Sequence, residues 1–286
     1  MKFKPFLAIL VSMMLAGCGE ETSISPTPTE EPSNEVSLAP TTTEEPITIP
    51  GLNLDMMAIP AGTFVMGSPD DEKDRDPMSI VEGPQTTVTI TKPFWLGKTE
   101  VTQAQWKAVM GNNPSHFKGD ELPVEMVSWN DVAAFCKKLN EMKRDTLPAG
   151  YHYTLPTEAQ WEYACRAGTT TRFYFGDDPD YVELENYAWC GDNSSGKTHP
   201  VGEKLPNDWG LYDMHGNVWE FCLDWNGDYP GGSVSDLQGP QSSSIRGGGW
   251  FGGVRHSRSA ARTDWDPGLP FDTNGFRVAL SSVPSE

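Results

Sequence analysis

The residues able to do chemistry are few and widely spaced. Five cysteines occur, Cys18, Cys136, Cys165, Cys190 and Cys222, and no two form a C-x-x-C pair. That spacing argues against thioredoxin-like redox work and against a zinc ribbon, both of which need two thiolates close together. The histidines His116, His152, His199, His215 and His256 are scattered without H-E-x-x-H, and no G-x-S-x-G elbow occurs. Gly247–Gly252 matches G-x-G-x-x-G, but the preceding Ser242–Arg246 is a poor hydrophobic strand, so a glycine-rich turn packed against aromatics is the better account. One polar cluster is more specific. Asp213–Glu220 (DMHGNVWE) sets two carboxylates seven residues apart around Gly216, and Asn186 and Asp192 lie upstream in a second Asn/Asp-rich loop. Hard oxygen donors interleaved with backbone carbonyls are what Ca²⁺ prefers, although the EF-hand spacing is absent.

The elements that must position these groups are short. Three helix starts are announced by caps: Thr102 three residues before Gln105, Ser128 before Asp131 and Thr157 before Gln160. In the second helix Val132, Phe135, Cys136 and Leu139 recur at i, i+3, i+4, i+7, and in the third Trp161, Ala164 and Cys165 form a similar stripe, with Gly168 suited to its stop. Met57–Gly67 reads as strand and turn, and Thr87–Thr91 alternates as a half-buried strand. The rest, to Leu280, is dominated by Gly, Pro, Asn, Asp and Trp. Cys136 and Cys165 fall on buried helical faces, whereas Cys190 and Cys222 lie in loops and could pair; four cysteines allow three connectivities.

Composition bounds the class. The 286 residues carry 21 Lys+Arg against 40 Asp+Glu, a formal charge of −19, which opposes binding to nucleic acid phosphates. Lys2 and Lys4 precede an apolar run from Phe6 to Leu15, too short to span a bilayer and ending in Leu15-Ala16-Gly17-Cys18. This resembles the lipobox of bacterial lipoproteins, with Cys18 as the lipid anchor after removal of the signal peptide, and Gly19 favours the outer membrane. Residues 19–50 hold 6 Pro, 7 Glu and 11 Ser/Thr without Lys or Arg, the composition of a disordered acidic tether. The expected organisation is therefore a signal peptide at 1–18, a tether at 19–50 and one irregular α+β domain at 51–286.

Ordered motifs across that domain carry a resemblance. They are Ile59–Gly67, Pro123-Val124 leading to Val127–Val132, Leu155–Arg166, Pro200–Gly202, Asn207–Glu220, Arg246–Trp250 and Gly275–Ala279. Together they resemble the formylglycine-generating enzyme (sulfatase-modifying factor) family. The resemblance implies a C-type-lectin-related α+β fold with little regular secondary structure. It also implies structural calcium, with Asp213 and Glu220 as side-chain ligands, Gly216 and Val218 offering backbone carbonyls, and Asn186 with Tyr187 opening a second site on a shortened loop.

The catalytic part of the resemblance does not carry over. Active members oxidise a sulfatase cysteine with O₂ at a copper-binding cysteine pair, and soft thiolates are what Cu(I) requires. Here residues 250–262 (WFGGVRHSRSAAR) contain no cysteine: Gly252 stands where the first belongs, and the region of the second is shortened. Ser259 and Val278 replace the usual disulfide partners of Cys165 and Cys136. The expectation is a lipid-anchored, cell-surface pseudoenzyme acting as a binding or accessory module. Its groove for a protein, peptide or glycan would use Trp250, His256, Arg262, Trp265 and Phe271. The alternatives are an active formylglycine-generating oxidoreductase, or a retroelement-diversified ligand-binding protein whose variable stretch precedes Gly275-Phe276-Arg277. An iron-dependent C–S-forming oxygenase is disfavoured, because no His-rich helical domain is present.

Overall fold

Each helix begins where a hydroxyl stands three residues before an amide or carboxylate. In the computed structural model, which describes residues 44–75, 82–224, 227–239 and 243–282, Thr102, Ser128 and Thr157 cap α1 (Gln103–Met110), α2 (Trp129–Lys143) and α3 (Glu158–Arg166). All three are complete capping boxes. In α3, for instance, Gln160 N–H donates to Thr157 Oγ1 at 3.1 Å while Thr157 N–H donates to Gln160 Oε1 at 3.1 Å. The end of α3 differs slightly from expectation. The left-handed residue that closes it is Ala167, φ +45°, with its N–H on Tyr163 O, and Gly168 follows at φ +94°. The proposed signal segment, Cys18 and the tether as far as residue 43 lie outside the described residues, and no described helix is long and apolar enough to cross a membrane.

Among the described residues twelve short strands form three sheets. The largest is antiparallel throughout, in the order β1 (Ile47–Ile49), β2 (Leu54–Ile59), β5 (Phe94–Gly97), β12 (Ala279–Ser281), β6 (His152–Thr154). A second has the order β10 (Arg262–Trp265), β9 (Ser243–Arg246), β7 (Trp219–Phe221), β11 (Asn274–Gly275), and the third sets β4 (Thr86–Ile90) between β3 (Gly62–Met66) and β8 (Gly232–Ser235). A strand thus lies at Ile47–Ile49, within the stretch that composition alone reads as tether. Ile47 faces Met56 and Ile49 faces Leu54 across the β1–β2 pair, and Ile49 is buried. Two isoleucines suffice for a strand that the surrounding Pro and Glu conceal.

Among the described residues two large apolar clusters fill most of the interior, beside a small third one of Phe173, Leu184, Ala188 and Cys190. In one of the two large clusters, Trp106 stacks on Phe135 at 5.4 Å, and Phe276 stands edge-on to both. This buries Val132, Phe135, Cys136 and Leu139 of α2, the stripe read from the sequence. The other large cluster surrounds α3, of which all nine residues are buried, charged ones included.

Buried charge must be paired, and the pairs define how α3 is held. Glu162 accepts Gly67 N–H (2.8 Å), Arg166 Nε (2.9 Å) and a guanidinium N–H of Arg246. Glu158 meets Arg246 Nε at 2.9 Å and accepts Arg262 Nε (2.8 Å), Arg262 NH2 (2.6 Å) and Ser244 Oγ (2.8 Å). Arg246 also donates to the carbonyls of Ser259 (3.1 Å) and Ala261 (2.8 Å). One helix is thereby fastened to β3, β9, β10 and the loop that precedes β10.

Burial by itself would push the Glu162 carboxyl up, but the guanidinium groups of Arg166 and Arg246 outweigh it and hold Glu162 below the usual carboxylate range. Its contribution to stability is therefore present above the ordinary carboxylate pKa and is lost as pH falls through the depressed folded value. Glu162→Gln is expected to lower the unfolding free energy at neutral pH by about 3 kcal/mol in a urea titration, since it leaves buried guanidinium unpaired. It should also flatten the loss of stability between about pH 5 and pH 3. Wild-type stability with an unchanged pH slope would contradict this assignment.

Candidate functional site

The turn Asp213–Glu220 is buried and enters β7. Asp213 takes a left-handed conformation, φ +61°, and its Oδ2 accepts Gly202 N–H at 2.7 Å. Gly216 lies so close to Trp189 that a Cβ would meet the Trp189 carbonyl at 2.4 Å, which only glycine allows. Asn217 clamps the loop 189–199 through its N–H on Trp189 O (2.7 Å) and its Oδ1 on His199 N–H (3.0 Å). Glu220, expected as a side-chain ligand, gives its carboxylate to Arg277 Nε (2.6 Å), Arg277 NH2 (2.5 Å) and Trp161 Nε1 (2.7 Å).

Sequence reasoning missed the acid that completes this cluster. Glu100 is fully buried, and neither of its carboxylate oxygens nor Asp213 Oδ1 receives a donor from a surrounding N–H. Burial first, then the neighbouring Asp213 and Glu220, push the Glu100 carboxyl well above the usual range; burial likewise raises Asp213 to about 6. Among the described residues no three or more His, Cys, Asp or Glu side chains converge on a metal position. The Glu100 and Asp213 carboxyls lie against one another, close enough to share a proton, whereas Glu220 is committed to Arg277. Glu100 stands in the run Lys98-Thr99-Glu100-Val101-Thr102, which carries no spacing signal linking it to Asp213.

At the second proposed calcium locus, Asn186 and Tyr187 are engaged within the chain. The Asn186 carbonyl accepts Leu205 N–H (3.0 Å), its side-chain amide donates to Glu183, and the Tyr187 ring stacks on Phe175 at 3.9 Å. Lys204 lies 3.7 Å over the Trp189 ring and donates to the Glu185 carbonyl.

The C-terminal loops gather aromatic rings at the surface. Trp250 Nε1 donates to Asp272 O at 2.9 Å, its ring meets Phe117 edge-on at 5.3 Å, and Phe271 lies 5.3 Å from Trp265. Phe271 is 48% exposed and Phe251, unforeseen in the sequence, 68%. His116 stacks on Phe117 and reaches Asp272 at 3.4 Å, so the face couples rings with an imidazole–carboxylate pair from two distant segments. His256 sits 5.9 Å from Trp219, beside Gly252. Arg262 corrects the expectation: it is 4% exposed and bound to Glu158, with its guanidinium 4.6 Å from the Tyr229 ring centroid, a structural cation rather than a groove contact. The glycine-rich turn does pack on aromatics. A Cβ on Gly247 would meet Trp161 at 3.1 Å and one on Gly249 would meet Trp219 at 3.3 Å.

Cys136, Cys165, Cys190 and Cys222 are all free and buried, so the possible Cys190–Cys222 pair is not formed. The two lie in different apolar clusters. Burial pushes the Cys136 and Cys165 thiols up to about 12 and raises Cys190 and Cys222, which keeps all four protonated and poorly nucleophilic. Ser259 lies beside Cys165, and Val278 and Cys136 belong to the same large apolar cluster.

Comparison with known proteins agrees with this architecture. The chain is 32% identical over 232 residues to the chaperone protein LppX of Paenibacillus barcinonensis, covering 66% of this chain and 80% of that protein. It is 30% identical over 210 residues to the formylglycine-generating enzyme of Mus musculus, covering 68% of this chain but only 52% of the enzyme. Among solved structures, Treponema denticola variable protein 1 superposes with a TM-score of 0.72 at 32% identity, over 84% of this chain and 99% of the other. The sulfatase-modifying factor enzyme 1-like domain matches residues 44–282, and the chain belongs to that family.

Proposed function

We propose that the protein is an exported, lipid-anchored accessory module that binds a partner through its aromatic C-terminal face and does not generate formylglycine. The observation that carries this reading is the segment 250–262. It holds the exposed ring of Phe251 and the half-buried ring of Trp250 but no thiol, and the four other domain cysteines are buried and protonated. A copper oxidase of the family's kind requires an accessible thiolate pair, which this stretch does not supply. Aromatic rings beside a His–carboxylate pair suit recognition of a protein, peptide or glycan, because rings bury large area at low entropic cost. The relative named a chaperone protein supports a partner-assisting role. The likeness to a variable protein favours, as a second reading, sequence diversity concentrated in the same loops. Cys18 is the proposed anchor, which places the domain at the cell envelope.

In this reading calcium is held by Asp213 and Glu100. A bound divalent ion would supply the charge that lets these two carboxylates ionise together in a buried position. The protein's own residues fix the carboxylates: Gly202 N–H orients Asp213, and Arg277 engages Glu220.

Two outcomes test the proposal. Purified protein incubated with Cu(I), O₂ and a Cys-x-Pro-x-Arg peptide should return the peptide with its thiol intact and no aldehyde detectable by mass spectrometry; aldehyde formation would overturn the non-oxidase reading. Millimolar Ca²⁺ should raise the melting temperature relative to a chelated sample, because a ligand bound only by the folded state stabilises it. Asp213→Asn should abolish that increment, and a melting temperature indifferent to chelator would remove calcium from the account.

A further inference from the structure

One large cleft belongs to neither the acid cluster nor the aromatic face. It opens along the outward side of α2, between that helix, β6 and the segment at Leu223, and has a volume of about 710 Å³. This is the size range of small-molecule sites. Its cause is local. Asn140 binds both the N–H and the carbonyl of Tyr153, each at 2.7 Å, and so ties the end of α2 to β6. Earlier in the helix the corresponding outward position is Ala133, too small to reach the strand. Trp129 walls the other end, with its ring fixed by Nε1–H donating to Cys222 O at 2.8 Å.

The lining is amphipathic in a particular sense. Trp129, Leu147, Leu155 and Leu223 give an apolar floor, and three of these are only half-buried, so the floor is open to a ligand. Lys137 and Arg144 stand exposed on the rim against one acid, Glu141. The chain as a whole has 21 basic and 40 acidic residues, so a rim with two cations to one acid runs against the overall charge. The wall also carries His152, whose Nε2 is buried without a hydrogen-bond partner, an unpaired polar atom that a ligand could satisfy. Burial lowers the His152 pKa, which leaves a neutral ring able to donate or accept one bond.

We propose that this cleft binds a single-chain amphiphile with an anionic head, an alkyl carboxylate, its tail on Trp129, Leu155 and Leu223 and its head between Lys137 and Arg144. The apolar floor supplies affinity, and the two cations select the sign of the head. A helix from a partner protein would need a longer groove, and a cationic amphiphile would meet the wrong rim.

The test is calorimetric titration of the full-length chain with dodecanoate below its micellar concentration, set against dodecyltrimethylammonium. Saturable one-to-one binding of dodecanoate is expected, at least about tenfold tighter than that of the cation. Lys137→Glu/Arg144→Glu should weaken dodecanoate binding by at least about tenfold while leaving the melting temperature near wild type, because both side chains are exposed. Ala133→Trp should block binding by filling the cleft. Absence of saturable binding, equal affinity for the two heads, or dodecanoate affinity unchanged in the charge-reversed variant would each overturn the proposal. Binding seen only with anionic phospholipid vesicles would overturn it too, assigning the rim to a membrane surface instead.

Discussion

A buried carboxylate on α3 can be tolerated only if guanidinium groups are brought to it, and the rest of the domain is arranged around that requirement. Glu158 and Glu162 project from a helix with no exposed residue, and Arg246 and Arg262 reach them from two adjacent strands. In so doing Arg246 also binds the carbonyls of Ser259 and Ala261, so one guanidinium decides where the loop after the glycine-rich turn must lie. Such pairs are weak evidence for net stability, since replacing them whole with apolar residues often costs nothing. Their value here is geometric. A loop-rich fold with strands of two to six residues has few ladder bonds with which to fix register, and directional charge-assisted bonds do so in their place. The same device recurs at Arg277 with Glu220, and at Arg258, which donates to Glu82 at 2.7 and 2.8 Å.

How far the sequence disclosed this varies with the range of the interaction. Local signals were legible. The hydroxyl-to-amide spacing located all three helices, and the stripe of α2 named its buried residues, because caps and periodicity depend only on neighbours in the chain. Long-range pairings were not. Arg262 reads as a surface cation in a loop of aromatics, and nothing within its own segment indicates that Glu158, over a hundred residues earlier, will bury it. Glu100 was invisible for the same reason: its role exists only where the chain folds it against Asp213. The first strand was hidden by composition, since two isoleucines in a Pro- and Glu-rich stretch resemble tether until Met56 and Leu54 are placed opposite them.

The division of labour that follows is between an interior framework that holds the loops and whatever the loops present. The framework residues are interior and charged, whereas Phe251 and Phe271 on the aromatic face are exposed rings outside that network. Family membership therefore fixes the scaffold while leaving the chemistry open, as the missing thiols at 250–262 illustrate.

The most direct test of this account is amide hydrogen exchange on Arg262→Met, a substitution that keeps bulk while removing the charge that binds Glu158. If the buried ion pairs position the presenting loops, exchange should quicken across residues 250–262 while protection in β2, β5 and β12 stays at the wild-type level. Unchanged exchange at 250–262, or an equal loss of protection across the whole domain, would contradict the claim that this network sets the geometry of the face.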